Sequence, residues 1–190
     1  MDKNISRCDW ANKDPLLKIY HDQEWGRPLY DNKKLFRMLI LETMQAGLSW
    51  LTILKKMDKF DRAFDGFDPD IIANYDEKKE KELMEDEGII RNSLKIKSVK
   101  KNALAYQKVV ENFGSFSDYL WGFVDNKPLV NSWESIDQVP SKTDLSQKIS
   151  SDMKKRGFSF VGPTVIYSFI QAVGMVNDHL LSCDFREVKD

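Results

Sequence analysis

With 190 residues, 42% of them hydrophobic, the chain can bury one large core or two small lobes sharing an interface. A net charge of −1 gives no global pull toward nucleic acid or membrane, and the most apolar stretch, VIYSFIQAVGMV (165–176), is too short and too broken by Ser168 and Gln171 to span a bilayer. MDKNISRCDW lacks the apolar run of a secretory signal, so the default expectation is a cytoplasmic protein with reduced thiols and no Cys8–Cys183 disulfide.

Apolar residues recur at spacings of three and four and two-residue alternation is scarce, which predicts an all-α fold. Asp14-Pro15 reads as the cap and first turn of a helix through LLKIYHDQEW. Asn32 leads into KKLFRMLILETMQ, which Gly47 stops; Ser49 starts WLTILKKMDKFDRAF, and Asp68-Pro69 starts a further short helix. DEKKEKELMEDE (76–87) holds seven acids against three bases, while RNSLKIKSVKKNALAYQK (91–108) holds six bases and no acid. Two solvated helices account for that sorting; a basic surface facing phosphates is the sharper alternative and needs support from elsewhere. Later helices are predicted over 92–112, 116–123, 144–155 and 163–175, punctuated by Gly114, Pro128, Pro140 and Gly157. The longest irregular stretch is NKPLVNSWESIDQVPSKT (126–143), and neither a repeat nor a low-complexity linker is visible. These elements imply a helical bundle: one domain over 1–190, which two helical lobes with a pocket between them would also satisfy.

The chain owns two cysteines and two histidines, and they sit at its two ends: Cys8 with His21, and His179 with Cys183 in NDHLLSC. Together they form a Cys₂His₂ set suited to tetrahedral zinc. If NDHLLSC is helical, His179 and Cys183 lie one turn apart on the same face. The alternative is a pair of buried thiols and two unrelated histidines. Four closed ligands would make the ion structural and leave chemistry to other residues.

Within KKLFRMLILETMQAG, Leu35, Met38, Leu39 and Ala46 share a helix face, and Glu42 falls in the middle of it. Desolvating a carboxylate is expensive, and the C-terminal end of a helix disfavours negative charge. Glu42 therefore requires a buried salt bridge, an escape to water, or a pocket awaiting a cationic or hydrogen-bond-donating ligand. Trp50 lies eight residues further on, and Trp10, Tyr20 and Trp25 cluster beside Cys8 and His21. A carboxylate among indoles and a phenol suits a flat cation, although core is the commoner role for any one of these rings taken singly. A zinc-stapled DNA-binding module without catalysis and a Trp-rich helical adaptor are the rival readings.

RCDW, YHDQEWGRP, KKLFRMLILETMQAGLSW, DEGIIRN and KKRGFSFVGPTVIYSFIQAVGMVNDHLLSC, in this order, resemble the 3-methyladenine DNA glycosylase I family from Cys8 to Cys183. The resemblance implies an all-helical enzyme of the helix-hairpin-helix DNA glycosylase superfamily. Its substrate would be double-stranded alkylated DNA and its products free 3-methyladenine and an abasic site. It further implies one structural zinc on Cys8, His21, His179 and Cys183, no organic cofactor and a monomer. The family's base pocket maps onto Glu42, Tyr20 and Trp50 as the catalytic and base-holding groups, with Trp10 and Trp25 as walls. KKRGFSFVGPT matches the hairpin, placing Lys154, Lys155, Gly157 and Gly162 against phosphates. Leu48 in the QAGLS turn is the apolar wedge for the vacated stack, or else an interhelical packing contact. Leu17 stands where many members carry tyrosine, and Thr43-Met44 also departs from the family's residues. The family lacks a clear equivalent of the aspartate that assists water elsewhere in the superfamily, and Asp178 is a weak match for it.

Overall fold

The computed structural model describes residues 5–187, so the outermost residues of the expected 1–190 domain, 1–4 and 188–190, lie outside the described part. A 3-10 turn at Asp9–Lys13 precedes α1 (Pro15–Gln23), whose N-terminus is closed by the Asp14 carboxylate accepting from the Leu16 N–H. The central helix α2 (Asn32–Gln45) is capped by Asp31, one residue earlier than expected. The Asn32 side chain instead accepts from the Ser117 N–H, near the start of a later helix.

The expected single helix from Ser49 divides into α3 (Trp50–Leu54) and α4 (Met57–Ala63). Lys56 adopts φ −112°, ψ 4° at the break, and its ammonium donates to the carbonyls of Glu87 and Gly88, which anchors the kink to a distant loop. Next come α5 (Pro69–Ala73), α6 (Glu77–Glu85) and the long α7 (Ser93–Phe113), each with an Asp or Asn side chain at its N-cap. The acidic α6 packs beside the basic α7. α8 (Phe116–Trp121), α9 (Asp144–Lys155) and α10 (Pro163–Ala172) complete the helices found among the described residues.

α10 stops three residues short of its expected end. Gly174 has φ +68°, and a Cβ there would fall 2.2 Å from the Arg27 carbonyl carbon, so the chain turns sharply against the Arg27–Pro28 backbone. Beyond this turn the chain is extended rather than helical. β2 (Val176–Asn177) pairs in parallel with β1 (Leu129–Val130), with Leu129 opposite Val176. The fold is nonetheless all-α, since these four residues are its sheet among the described residues.

α2 holds the molecule together because it is apolar on two faces. Leu35, Met38 and Leu39 join a core with α8, α9 and α10, while Phe36, Ile40, Leu41 and Met44 join a second core with α4, α5 and α7. Each fully buried side chain of this kind contributes roughly 1.5–3 kcal/mol before entropy is charged against it. Trp50 and Tyr106 pack against both cores, so the start of α3 lies at the seam between them.

Candidate functional site

Cys8, His21, His179 and Cys183 converge, all buried, with their donor atoms within 4.8 Å of one another. Cys183 Sγ lies 3.4 Å from His179 Nδ1 and 3.5 Å from His21 Nε2, and Cys8 Sγ lies 3.8 Å from His179 Nδ1. Tetrahedral zinc with ordinary Zn–S and Zn–N bonds separates its donors by about 3.3–3.8 Å, so these separations fit such an ion. The backing groups fit as well. His21 Nδ1 faces Asp22 at 2.8 Å, and Arg7 grips the same carboxylate through two nitrogens. His179 Nε2 donates to the Trp25 carbonyl at 3.2 Å, which turns Nδ1 toward the cluster. Gly26 is required here, because a Cβ would sit 2.9 Å from His179 Nε2. His179 and Cys183 do not share a helix face as expected. They lie on the turn after β2, in reach of one another because the Cys183 N–H donates to the Leu180 carbonyl.

Glu42 stands on the last full turn of α2, 3% exposed, and opens onto a cavity of about 310 Å³. Burial alone raises its pKa from 4.5 to about 8. Among the described residues no side chain forms a salt bridge or hydrogen bond with it, so a buried ion pair does not account for it, and its side chain lines the cavity. Tyr20 from α1 is buried beside it, its hydroxyl pKa raised by burial first and then by the Glu42 charge. Tyr20 and Trp50 rings lie 5.2 Å apart, and Trp10 meets Trp25 edge-on at 5.1 Å. All four rings line the cavity, and the Trp50 indole N–H is buried without a partner among the described residues.

The helix-end penalty on Glu42 has a compensation that the sequence did not reveal. Lys95 of α7 is buried, and its ammonium donates to the Met44 and Ala46 carbonyls at 2.8 and 2.7 Å, placing positive charge on the C-terminus of α2. Gly47 then turns the chain at φ +80°, with Gln45 bonding across the turn to the Leu48 carbonyl. Leu48 is left at the tip, 38% exposed. Leu17 lines the cavity, whereas Met44 belongs to the second core and the Thr43 hydroxyl is satisfied by the Ile40 carbonyl.

Between α9 and α10 the KKRGFSFVGPT segment forms a hairpin. Asn102 of α7 clamps it by accepting from the Ser159 N–H and donating to the Ser159 carbonyl, and Ser150 donates to the Val161 carbonyl. Gly157 needs its φ of +97°. At Gly162 neither φ nor space within the chain demands glycine. Lys154 and Lys155 are exposed, but Arg156 is held by Asp152 at 2.6 Å and stacks on Phe113.

Sequence reasoning missed the far wall of the cavity. Thr164, Tyr167, Ser168 and Gln171 of α10 line it, as do Ile136, Val139, Pro140 and Ser141 of the irregular 126–143 stretch. The α10 signal was legible: polar groups interrupt an apolar run at helical spacing, on one face. The 126–143 wall left no local signal. No helix among the described residues is long and apolar enough to cross a membrane.

The sequence pattern of the methyladenine glycosylase family matches residues 10–187. DNA-3-methyladenine glycosylase 1 of Escherichia coli is 45% identical over 179 residues, covering 94% of this chain and 96% of that one. DNA-3-methyladenine glycosylase of Haemophilus influenzae is 43% identical over 178 residues, with 94% and 96% covered. A solved structure of 3-methyladenine DNA glycosylase I from Staphylococcus aureus, concerned with 3-methyladenine recognition, superposes with a TM-score of 0.93 at 36% identity, covering 99% of this chain and 100% of that one.

Proposed function

The chain belongs to the methyladenine glycosylase family, and on that premise we propose that it is a base excision repair enzyme that removes 3-methyladenine from alkylated double-stranded DNA. The observation that carries this reading is the buried Glu42, unpartnered among the described residues, in a cavity walled by Tyr20, Trp50, Trp10 and Trp25. At about 310 Å³ the cavity falls in the range of small-ligand sites.

Methylation at N3 gives the purine a positive charge while it is still bonded to C1′, and it weakens pairing and stacking, so the nucleotide leaves the duplex at lower cost. The cation that enters the cavity favours loss of the Glu42 proton. The carboxylate then accepts from the exocyclic amine while Trp50 and Tyr20 hold the ring. Water's oxygen bonds to C1′ as the C1′–N bond breaks, and the electron pair leaves with the base, which becomes neutral. The proton lost by water goes to solvent. A guanine would present its O6 acceptor to another acceptor, a mismatch worth orders of magnitude in rate.

Lys154, Lys155 and the backbone at Gly157 and Gly162 hold phosphates, and Leu48 fills the vacated stack. The open space at Gly162 and the exposure of Leu48 support these roles. Zinc on Cys8, His21, His179 and Cys183 would tie residues near the two ends of the chain together and supply no chemistry to the base. The enzyme acts as a cytoplasmic monomer, one domain built on two cores. The test is incubation with methylated duplex DNA and chromatography of the released bases. Free 3-methyladenine with little 7-methylguanine is expected, and abundant 7-methylguanine overturns the reading of the pocket.

A further inference from the structure

Asp178 is almost fully buried beside the cavity, yet it does not line it. A carboxylate offers about four acceptor positions, and here four donors occupy it. Oδ1 accepts from Asn131 Nδ2 and Trp133 Nε1, both at 2.7 Å. Oδ2 accepts from the Tyr167 hydroxyl and from Gln171 Nε2, the latter at 2.7 Å. No lone pair is left to take a proton from water, so this aspartate is not a general base.

Its donors define what it does instead. Asn131 and Trp133 belong to the same irregular stretch as Ile136, Val139 and Pro140, which line the cavity, and Tyr167 and Gln171 line it from α10. The orientation of the Gln171 amide matters most. A carboxylate only accepts, so the NH₂ end of Gln171 must face Asp178, and the carbonyl oxygen is the polar atom left for the cavity. We propose that Asp178 is a positioning residue for base recognition: by capturing the Gln171 amide nitrogen it turns the Gln171 oxygen toward the cavity, as a second acceptor, beside Glu42, for the amine of the extruded cationic purine. This rests on the function proposed above and adds a specificity-determining residue to it. An acceptor at Gln171 favours an electron-poor ring carrying N–H groups. A reversed amide would point a donor, with its partial positive charge, at a cation.

The experiment measures binding of free 3-methyladenine to the full chain and to Gln171→Leu, Asp178→Asn and the double variant, with metal content and thermal unfolding recorded for each. Gln171→Leu should weaken binding about 3–10-fold, the scale of one neutral hydrogen bond. Asp178→Asn keeps its size but cannot accept from all four donors, so Gln171 is free to reverse, and a similar loss is expected with metal content unchanged. Because Asp178 acts through Gln171, the double variant should bind within about twofold of Gln171→Leu. If Asp178→Asn does not fold, Asp178→Glu, which keeps the charge but displaces it by one methylene, replaces it in the cycle. Losses that multiply in the double variant overturn the positioning role, and an unchanged affinity in Gln171→Leu overturns the whole inference. A parent chain that binds no 3-methyladenine overturns the proposed function and this inference with it.

Discussion

Two regions of the molecule bury a carboxylate to nearly the same depth, Glu42 at 3% exposure and Asp178 at 2%, and treat it in opposite ways. In the 177–183 segment polar groups are closed on each other: Asp178 accepts four hydrogen bonds, Asn177 joins the His179 N–H and the Arg186 carbonyl, and His179 joins Trp25 to the thiols. Across the cavity wall, Glu42 and the Trp50 indole N–H have no protein partner among the described residues. Depth of burial therefore does not separate structure from function here. The difference is whether the interior already answers the polar group. A saturated carboxylate stiffens the frame, and an unanswered one stores a cost that an incoming donor relieves.

The closed region is most easily disrupted at the Cys/His cluster. Cys183→Ala should lower unfolding stability by at least ~5 kcal/mol and abolish stoichiometric metal binding, because metal affinity is folding free energy in a closed site. Denaturant unfolding together with elemental analysis checks it, and parent-like stability would mean that the cluster anchors nothing.

Glu42→Gln should move activity and stability in opposite directions. Losing the charge that meets the cation should lower kcat/KM by roughly 10²–10³, the scale of one preorganised electrostatic interaction. The same change should raise stability at pH 8 by about 1–3 kcal/mol, since an unsatisfied buried carboxylate is removed. A variant that loses both would place Glu42 with Asp178 as a structural group.

The pH dependence separates the open region further. Burial raises the Glu42 pKa from 4.5 to about 8, so the folded chain binds this proton more tightly than the unfolded one. The stability this group confers is present in full below pH 4.5 and is lost as pH rises toward 8. Because the lesion keeps its charge over this range, kcat/KM should climb with pH to a plateau above about 8, and Glu42→Gln should flatten that limb. The smallest effect lies outside both regions. Replacing exposed Lys154 and Lys155 by Gln should reduce the slope of log affinity against log salt by about 1 for each phosphate no longer neutralised, and leave binding of the free base unchanged.

Helix caps and periodicity were legible at Asp14, Ser49 and Asp68, because a cap is decided by residues two or three positions away. Where a distant group intervened, the local signal failed. Lys56 is pulled out of a helix by the Glu87 and Gly88 carbonyls, and Asn32 is diverted to Ser117, leaving Asp31 as the cap. NDHLLSC has acceptable helical spacing, yet Gly174 and the β1 pairing set it in an extended turn.

Residue type and period were enough to specify an all-α chain, a complete Cys₂His₂ inventory split between its ends, and one glutamate on an apolar helix face. Those properties need no knowledge of the neighbours. Long-range packing settled the rest: Glu42 meets no cation among the described residues, Lys95 offsets the helix end beneath it, and α10 and residues 136–141 close the cavity. Whether a buried charge is answered depends on groups brought from far along the chain, as Lys95 is brought to Met44 across 51 positions, and no local pattern encodes that distance.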